Sequence, residues 1–434
     1  MVNLRFIFHI WWPLAASWML MAIEGPAVSI LIARLANPEI NLAAFGGILD
    51  PIRFLIFAPV TMLLATSTAL SKDWPSYLKL RRFMYITGSI LTFVHFLIAY
   101  TPLYFILMQD IMGIPDEVLQ AARPGLMIML PLVLAIGFRR FQQGVLIRFG
   151  YSGAVMAITM ARLVTLVTFL LVGFFIPSID GVIISSIALT MSMIVEALYA
   201  GWRVRPVIQE VKAEPIADPL NWRGLFVFFI PLMFTAFLST IGRPIVSSAM
   251  SRMPETLQSL AILPVVIGLI FLLQTFGVAY NEVVVSLLDR PGSYWQLRKF
   301  TIILSIIMGA AALIIAATPL STIWFQDITS LPLEFVKVAK NSFWLLLPAP
   351  VIIVWVSWFQ GALITSKNTR AVTEGVIVYL IFIVSFLVFG VFHSKMPGIY
   401  YGMLALSISL TAQASWAWFR SREALKSFRL RDSL

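Results

Sequence analysis

Cysteine is absent from this 434-residue chain, which excludes disulfides and thiolate metal sites. Histidine is scarce. His9, His95 and His393 are scattered and give no metal-ligand spacing. Only 12% of residues are charged. There is no phosphate-cradling glycine loop, no His-Glu-x-x-His and no nucleophile elbow, so neither ATP hydrolysis nor covalent catalysis is implied. The chain reads as a non-enzyme without a bound cofactor. A proton or sodium ion is the one small coupling partner to consider.

What it has is apolar length. Sixty per cent of residues are hydrophobic, far above a soluble globular chain. A segment of about 20 apolar residues spans a bilayer. Twelve such segments are expected: 10–34, 43–70, 83–108, 124–147, 154–177, 181–202, 224–250, 259–287, 300–325, 341–364, 371–393 and 398–419. The fold class is therefore an all-α polytopic membrane protein. The first segment is too long for a cleaved leader, lacks a small-residue cleavage site and is matched by segment seven.

The sequence also repeats. Pro13-Leu14 falls on Pro231-Leu232 and Pro26 on Pro244, a shift of 218. Thr101-Pro102-Leu103, Gln109-Asp110-Ile111 and Gln143-Gly144 fall on Thr318-Pro319-Leu320, Gln326-Asp327-Ile328 and Gln360-Gly361, a shift of 217. Each copy supplies six segments, an even number, so the copies are parallel. The expected lobes are 1–205 and 223–422, joined by a polar linker at 206–222 that carries Lys212, Glu214 and Asp218, and followed by a basic tail at 423–434. Two such lobes flanking a central cleft are the plan of a secondary transporter.

The net charge of +11 follows topology rather than nucleic acid. Lys72, Lys79, Arg81, Arg82, Arg148, Arg203, Arg205, Arg290, Arg298, Lys299, Lys367 and Arg370 lie in alternate loops. Arg420, Arg422, Lys426, Arg429 and Arg431 crowd the C-terminus, as an anchor near anionic headgroups. The opposite loops hold mainly Arg34, Arg252, Lys337, Lys340 and Lys395. Basic loops stay inside, so both termini are expected in the cytoplasm of a bacterial (inner) plasma membrane.

Ionised groups inside segments are costly, about 2.5–3.5 kcal/mol each on insertion scales. Glu24, Asp50, Arg53, Arg139, Arg140, Arg162, Glu196, Arg243 and Glu282 fall there. Glu24 and Arg243 sit one place apart in the repeat register, beside the shared prolines Pro26 and Pro244. A proline in a helix frees a carbonyl and allows a bend, so these two are candidate hinges. Ser239, Arg243, Ser247 and Ser251 recur every four residues and share one helical face. That face is read as lining a cavity. The alternative is a salt bridge between Glu24 and Arg243. Asp50-Pro51 with Arg53 reads either as a helix N-cap with an i,i+3 pair or as a break inside segment two. Arg139 and Arg140 project about 100° apart, so one faces the cavity while the other snorkels. Arg162 and Glu196 read as snorkelling toward the cytoplasmic end. The second copy has Val356-Ser357 opposite Arg139-Arg140, and Leu64-Ala65 lies opposite the region of Glu282. Unmatched charges are not demanded by the fold.

These residues carry a resemblance. Leu42-Ala43-Ala44-Phe45-Gly46 and Gln143 to Ile147 are similar to patterns of the multidrug/oligosaccharidyl-lipid/polysaccharide (MOP) superfamily, which includes the MATE exporters. Arg243-Pro244-Ile245-Val246, Ser251-Arg252, Gly144 to Ile147 leading to Tyr151-Ser152, Trp12-Pro13-Leu14, Pro348-Ala349-Pro350-Val351 and Glu282 resemble the progressive ankylosis protein family. Arg53 matches a basic position of that family, whereas Arg139 and Arg140 lie in none of its motifs. The resemblance implies a MATE-like fold and export of polyanions such as pyrophosphate, citrate or nucleotide.

Three functions follow as expectations. The first is alternating-access export of small organic or phosphorylated anions by a monomer. Arg243, Arg53, Asp50, Arg139, Arg140, Ser247, Glu24 and Glu282 would be in contact with substrate, or would gate it. The second is efflux of organic cations coupled to H⁺ or Na⁺ through Glu24 or Asp50. The third is flipping of a lipid-linked saccharide, which needs a lateral opening between segments one and eight. The lack of native cysteine makes topology directly testable. An impermeant maleimide applied to intact cells is expected to label Lys395→Cys and to spare Ile216→Cys until the membrane is opened. Labelling of both from the same side would refute the assigned topology.

Overall fold

A computed structural model gives the architecture and describes residues 3–176, 178–216, 220–393 and 395–433. Asp218 lies outside the described residues. Every regular element among those described is helical. The first half comprises α1 (Leu4–Ala22), α2 (Glu24–Ile32), α3 (Pro38–Ala44), α4 (Asp50–Thr61), α5 (Leu63–Leu70), α6 (Trp74–Tyr100), α7 (Leu103–Phe105), α8 (Asp116–Ile128), α9 (Leu132–Arg148), α10 (Ser152–Phe174) and α11 (Gly181–Ala213). The second half comprises α12 (Trp222–Met250), α13 (Thr256–Leu287), α14 (Ser293–Ala317), α15 (Leu320–Thr322), α16 (Leu333–Leu345), α17 (Ala349–Thr365), α18 (Thr369–His393) and α19 (Gly398–Arg431). Ten helical stretches among the described residues are long and apolar enough to cross a membrane, and α8 with α9, bent by 46°, makes an eleventh. The twelfth expected segment lies within α19, which is less apolar because Ser407, Ser409, Thr411, Gln413 and Ser415 run along it. The chain is an integral membrane protein.

Two boundaries differ from the sequence expectation. Segments three and nine begin at Trp74 and Ser293, so Lys79, Arg81, Arg82, Arg298 and Lys299 ride on helix rather than loop. Hydropathy ends an apolar run at its first charges, but Lys and Arg are good helix formers and the helix continues through them. The Asp73 carboxylate fixes the start of α6 by accepting the Ser76 amide at 2.8 Å. The linker is shorter than 206–222, because α11 carries on through Pro206 to Ala213. Leu220 then docks on α6. Its amide donates to Ser76 Oγ at 3.0 Å, and its carbonyl accepts from Lys79 Nζ.

The repeat is visible in the elements. Thr101-Pro102 ends α6 and Thr318-Pro319 ends α14, since proline brings no amide to continue the ladder. Each threonine hydroxyl donates back to the carbonyl four residues earlier at 2.6 Å. A π-helical turn follows each, at Ile106–Ile111 and Ile323–Ile328.

By contacts the chain forms two compact units, residues 1–33 with 249–434, and residues 34–248. Contacts thus divide the chain differently from the expected lobes. The first span joins the helices of the second half, and nearly all of α12 joins those of the first. In the former unit Trp11 is buried among Tyr280, Phe300 and Leu304, and its indole N–H donates to Phe276 O at 3.0 Å. In the latter, Phe83 of α6 meets Phe229 of α12 edge-on at 4.8 Å. The end of α19 caps two helices of its own unit. The Arg431 guanidinium donates to the carbonyls of Leu288, Asp289 and Arg290 at 2.9 Å each, closing the C-terminus of α13. The Asp432 carboxylate accepts the Tyr294 amide at 2.7 Å, at the start of α14. Burial alone would raise the Asp432 pKa. The hydrogen bonds from Arg431 and from the amides of Tyr294 and Gly292 outweigh it and hold the carboxyl below its ordinary value.

One glycine in each copy sets a helix–helix distance. A Cβ on Gly144 would lie 1.8 Å from Ser67 Oγ and 2.4 Å from the Leu64 carbonyl oxygen, so α9 touches the backbone of α5. A Cβ on the equivalent Gly361 would meet the Val284 side chain at 2.5 Å. The Gly144 contacts are the closer and include backbone, whereas Val284 Cγ1 and Cβ, at 2.5 and 2.7 Å from a Gly361 Cβ, require a smaller shift. Gly144→Ala is therefore expected to destabilise by about 1–3 kcal/mol and Gly361→Ala by less. Tryptophan-fluorescence melting of the detergent-solubilised protein checks the order.

Candidate functional site

The 34–248 unit gathers charge at Asp50. The second span does not run as one regular helix. A π-helical turn occupies Phe45–Leu49, directly ahead of Asp50-Pro51. Pro51 has no amide to give the carbonyl four residues back, and the wider turn accommodates that loss. The N-cap reading of Asp50 is not what the structure shows. Its backbone is helical, and its carboxylate is turned outward to two arginines. Arg53, one turn on, donates to Oδ1 from Nη2 at 2.7 Å and from Nε at 3.1 Å. Arg243 of α12 donates from Nη1 to Oδ2 at 2.7 Å. Both guanidiniums also lie over the Phe54 ring, Arg243 at 4.0 Å and Arg53 at 4.7 Å from its centroid. Arg53 is 4% exposed, whereas the Arg243 side chain keeps 40% of its surface. Two cations thus share one anion, and the more open cation has donors to offer a ligand.

The other expected residues take different places. The sequence alternative paired Arg243 with Glu24; the carboxylate partner of Arg243 is Asp50. Ser247 is fully buried, and its hydroxyl donates to the Arg243 carbonyl at 3.3 Å, a bond within the helix. Glu24 belongs to the other unit, buried in the first turn of α2, where a carboxylate suits the helix dipole. The first span is interrupted at Ile23, three residues before Pro26. Helix α12 instead runs through Pro244 unbroken. Glu282 is exposed on α13 and accepts the Trp18 indole N–H at 3.1 Å within the same unit. That unit also holds an open cavity of about 760 Å³ between α18 and α19, lined by Val378, Phe382, Thr411, Trp416 and Phe419 among others and without a charged residue.

A second charged cluster joins α9, α10 and α11 in the 34–248 unit. Arg139 Nη1 donates to both oxygens of Glu196, at 2.7 and 2.8 Å. Arg162 Nε lies 3.4 Å from Glu196 Oε2. Glu196 is fully buried, Arg139 is 6% exposed and Arg162 is 7% exposed. Arg162 and Glu196 therefore do not snorkel to the membrane surface. A carboxylate and a guanidinium in one apolar bundle gain more from each other than from stretching to headgroups. Sequence position had signalled this: Arg139 and Arg162 lie nine and ten residues from the adjoining ends of α9 and α10, and so at similar depth.

Residues 78–267 match the family described as Progressive ankylosis protein (ANKH). No curated protein matches the chain in sequence. Among solved structures, an inward-facing multidrug resistance MATE transporter of the MOP superfamily is similar with a TM-score of 0.77 at 14% identity, covering 95% of each chain. The lipid II flippase MurJ, in an inward closed conformation, is similar with a TM-score of 0.71 at 15% identity, over 96% of this chain and 90% of that one. A MOP superfamily transporter from Pyrococcus furiosus Vc1, in which reverse polarity of the binding pocket suggests a different function, has a TM-score of 0.67 at 15% identity, over 99% and 97%. The chain has the fold of the MATE transporters of the MOP superfamily and carries, in residues 78–267, the sequence match to the progressive ankylosis protein family.

Proposed function

We propose that the chain is a secondary transporter that exports small organic or phosphorylated anions, of the pyrophosphate, citrate or nucleotide type, by alternating access. The observation that carries this reading is the Asp50 cluster: two guanidiniums on one carboxylate, with Arg243 two-fifths exposed. Guanidinium keeps its charge at any working pH and presents paired donors that fit a carboxylate or phosphate. An arriving anion competes with Asp50 for Arg243, while Arg53 stays beneath as fixed positive charge. Release restores the Arg243–Asp50 bond, so the free carrier has an internal ligand in place of substrate. A coupling proton or sodium ion would be carried by Glu24 or Glu282. The protein works as a monomer in the bacterial inner membrane with both termini in the cytoplasm.

Efflux of organic cations is less well supported. Of the two carboxylates that could serve it, Glu24 and Asp50, Asp50 already has both of its oxygens facing guanidinium. The Pyrococcus furiosus protein shows that a MOP-type fold is compatible with reversed pocket polarity, and the excess of arginine here points the same way.

Uptake of labelled pyrophosphate or citrate into inside-out vesicles tests the reading. Arg243→Ala is expected to abolish uptake with the protein still folded, because a half-exposed ion pair contributes only about 1 kcal/mol or less. Asp50→Asn takes a carboxylate from two guanidiniums, one of them buried, and is expected to destabilise by about 1.5–3 kcal/mol, the worth of a charge-assisted hydrogen bond. Wild-type uptake by Arg243→Ala would overturn the assignment of this site.

A further inference from the structure

We infer that Arg139, Arg140, Arg162 and Glu196 form a second anion-binding site, separate from Asp50, for a multivalent oxyanion of the phosphate or polycarboxylate class. The inference deepens the anion reading above but stands on its own geometry. Two guanidiniums, Arg139 and Arg162, meet one carboxylate, and a third, Arg140, lies beside them, so cations outnumber the anion within this cluster. Glu196 is already saturated, because one oxygen takes Arg139 and the other takes both Arg139 and Arg162. Arg140 has no carboxylate within ion-pair distance and no hydrogen bond among the described residues, although it is near enough to Arg139, Glu196 and Arg162 to feel all three charges. The Nε atoms of Arg139 and Arg140 are buried and donate to nothing among the described residues. Arg139 grips Glu196 through its Nη1 corner alone, so its remaining donors are unclaimed. Water can satisfy such donors but cannot balance the charge. An oxyanion with two or more charges does both.

The second copy provides a control within the same chain. At a shift of 217, Arg139, Arg140, Arg162 and Glu196 correspond to Val356, Ser357, Tyr379 and Gln413. All four positions are uncharged there, yet α17, α18 and α19 form the same arrangement of elements as α9, α10 and α11. That trio has an ion pair of its own, Glu374 of α18 with Arg420 of α19 at 3.0 Å, but at other positions, so its packing does not require charge at these four. The charges serve something that the second copy lacks. Arg140, the member without a carboxylate of its own, is the group offered to an anion. Glu196 is the internal ligand that holds Arg139 and Arg162 in its place.

The test is pyrophosphate binding to the full chain in nanodiscs of neutral lipid, read by titration calorimetry and by the shift in melting temperature. Wild type is expected to bind and to be stabilised by pyrophosphate and citrate. Chloride at equal ionic strength is expected to have no such effect. Arg140→Gln is expected to weaken binding at least about tenfold, the loss of one charge-assisted contact. It breaks no bond seen in the fold, so it is expected to melt as wild type does without ligand. Glu196→Gln is expected to melt lower without ligand and to be shifted further by pyrophosphate, since a competing carboxylate is gone. Arg243→Ala is expected to keep this binding. Unchanged affinity in Arg140→Gln would overturn the site, as would stabilisation by chloride alone. If Arg243→Ala loses all binding while Arg140→Gln retains it, the oxyanion sits at Asp50, and the transport reading survives without this inference.

Discussion

A guanidinium cannot shed its proton to enter an apolar interior. Every arginine carried into these spans must find a carboxylate or water, and that requirement organises the 34–248 unit. Asp50 and Glu196 are the two carboxylates that meet it. Each sits at a junction of helices distant in sequence: Asp50 joins α4 to α12 across 193 positions, and Glu196 joins α11 to α9 across 57. Neither bond is needed to satisfy the backbone, which the helices satisfy themselves. The carboxylates instead fix which faces of the helices meet. The π-helical turn ahead of Asp50 belongs to the same device, because an extra residue in one turn re-aims everything after it on the helix. Without that turn, Asp50 and Arg53 would point to a different neighbour.

The two copies of the repeat share a scaffold but not an electrostatic character. Both have the threonine–proline stop, the π-helical turn and the close glycine. The charges do not follow. Asp50 and Arg53 correspond to Gly268 and Phe271, and Arg243 corresponds to Gly25. The unit holding α13 to α19 has an open apolar cavity instead. Duplication supplied two similar scaffolds, and the clusters of arginines around a single carboxylate at Asp50 and Glu196 lie in one of them. Structural charge would be expected wherever the scaffold recurs. Charge found on one copy alone is better explained by what that copy binds.

The repeat, the helical class and the approximate spans were legible from sequence because each rests on local or periodic signals. Apolar runs mark spans, threonine–proline marks a stop, and a constant shift marks duplication. Helix ends were less legible, since Lys79 and Arg81 end an apolar run without ending a helix. Candidate charges were identified one by one through their cost in the membrane, and that cost is a property of a single residue. Their pairing is not. Arg243 stood next to Glu24 in the repeat register, but register compares copies and says nothing about contacts. The partner of Arg243 depends on α12 packing among helices of the first half, which no periodicity reports. Glu196 and Arg162 were read singly as interfacial for the same reason; only their common depth with Arg139 hinted at a cluster.

The ratios within the clusters discriminate between binding and bracing. A brace is best built one to one, because a matched pair leaves no residual charge to solvate. Here two guanidiniums meet one carboxylate at Asp50 and two meet Glu196, where Arg140 lies beside them outside ion-pair distance. The surplus in each case includes a member with accessible surface, Arg243 in the first and Arg140 in the second. A surplus of this kind raises the energy of the unliganded protein and is relieved when negative charge arrives. Binding energy can then be drawn from relief of repulsion as well as from new hydrogen bonds. The carboxylate already present limits how tightly a ligand is held, since it waits to reclaim its arginines. A carrier has to release its cargo as well as capture it, and an internal anion competing for the same guanidiniums allows both.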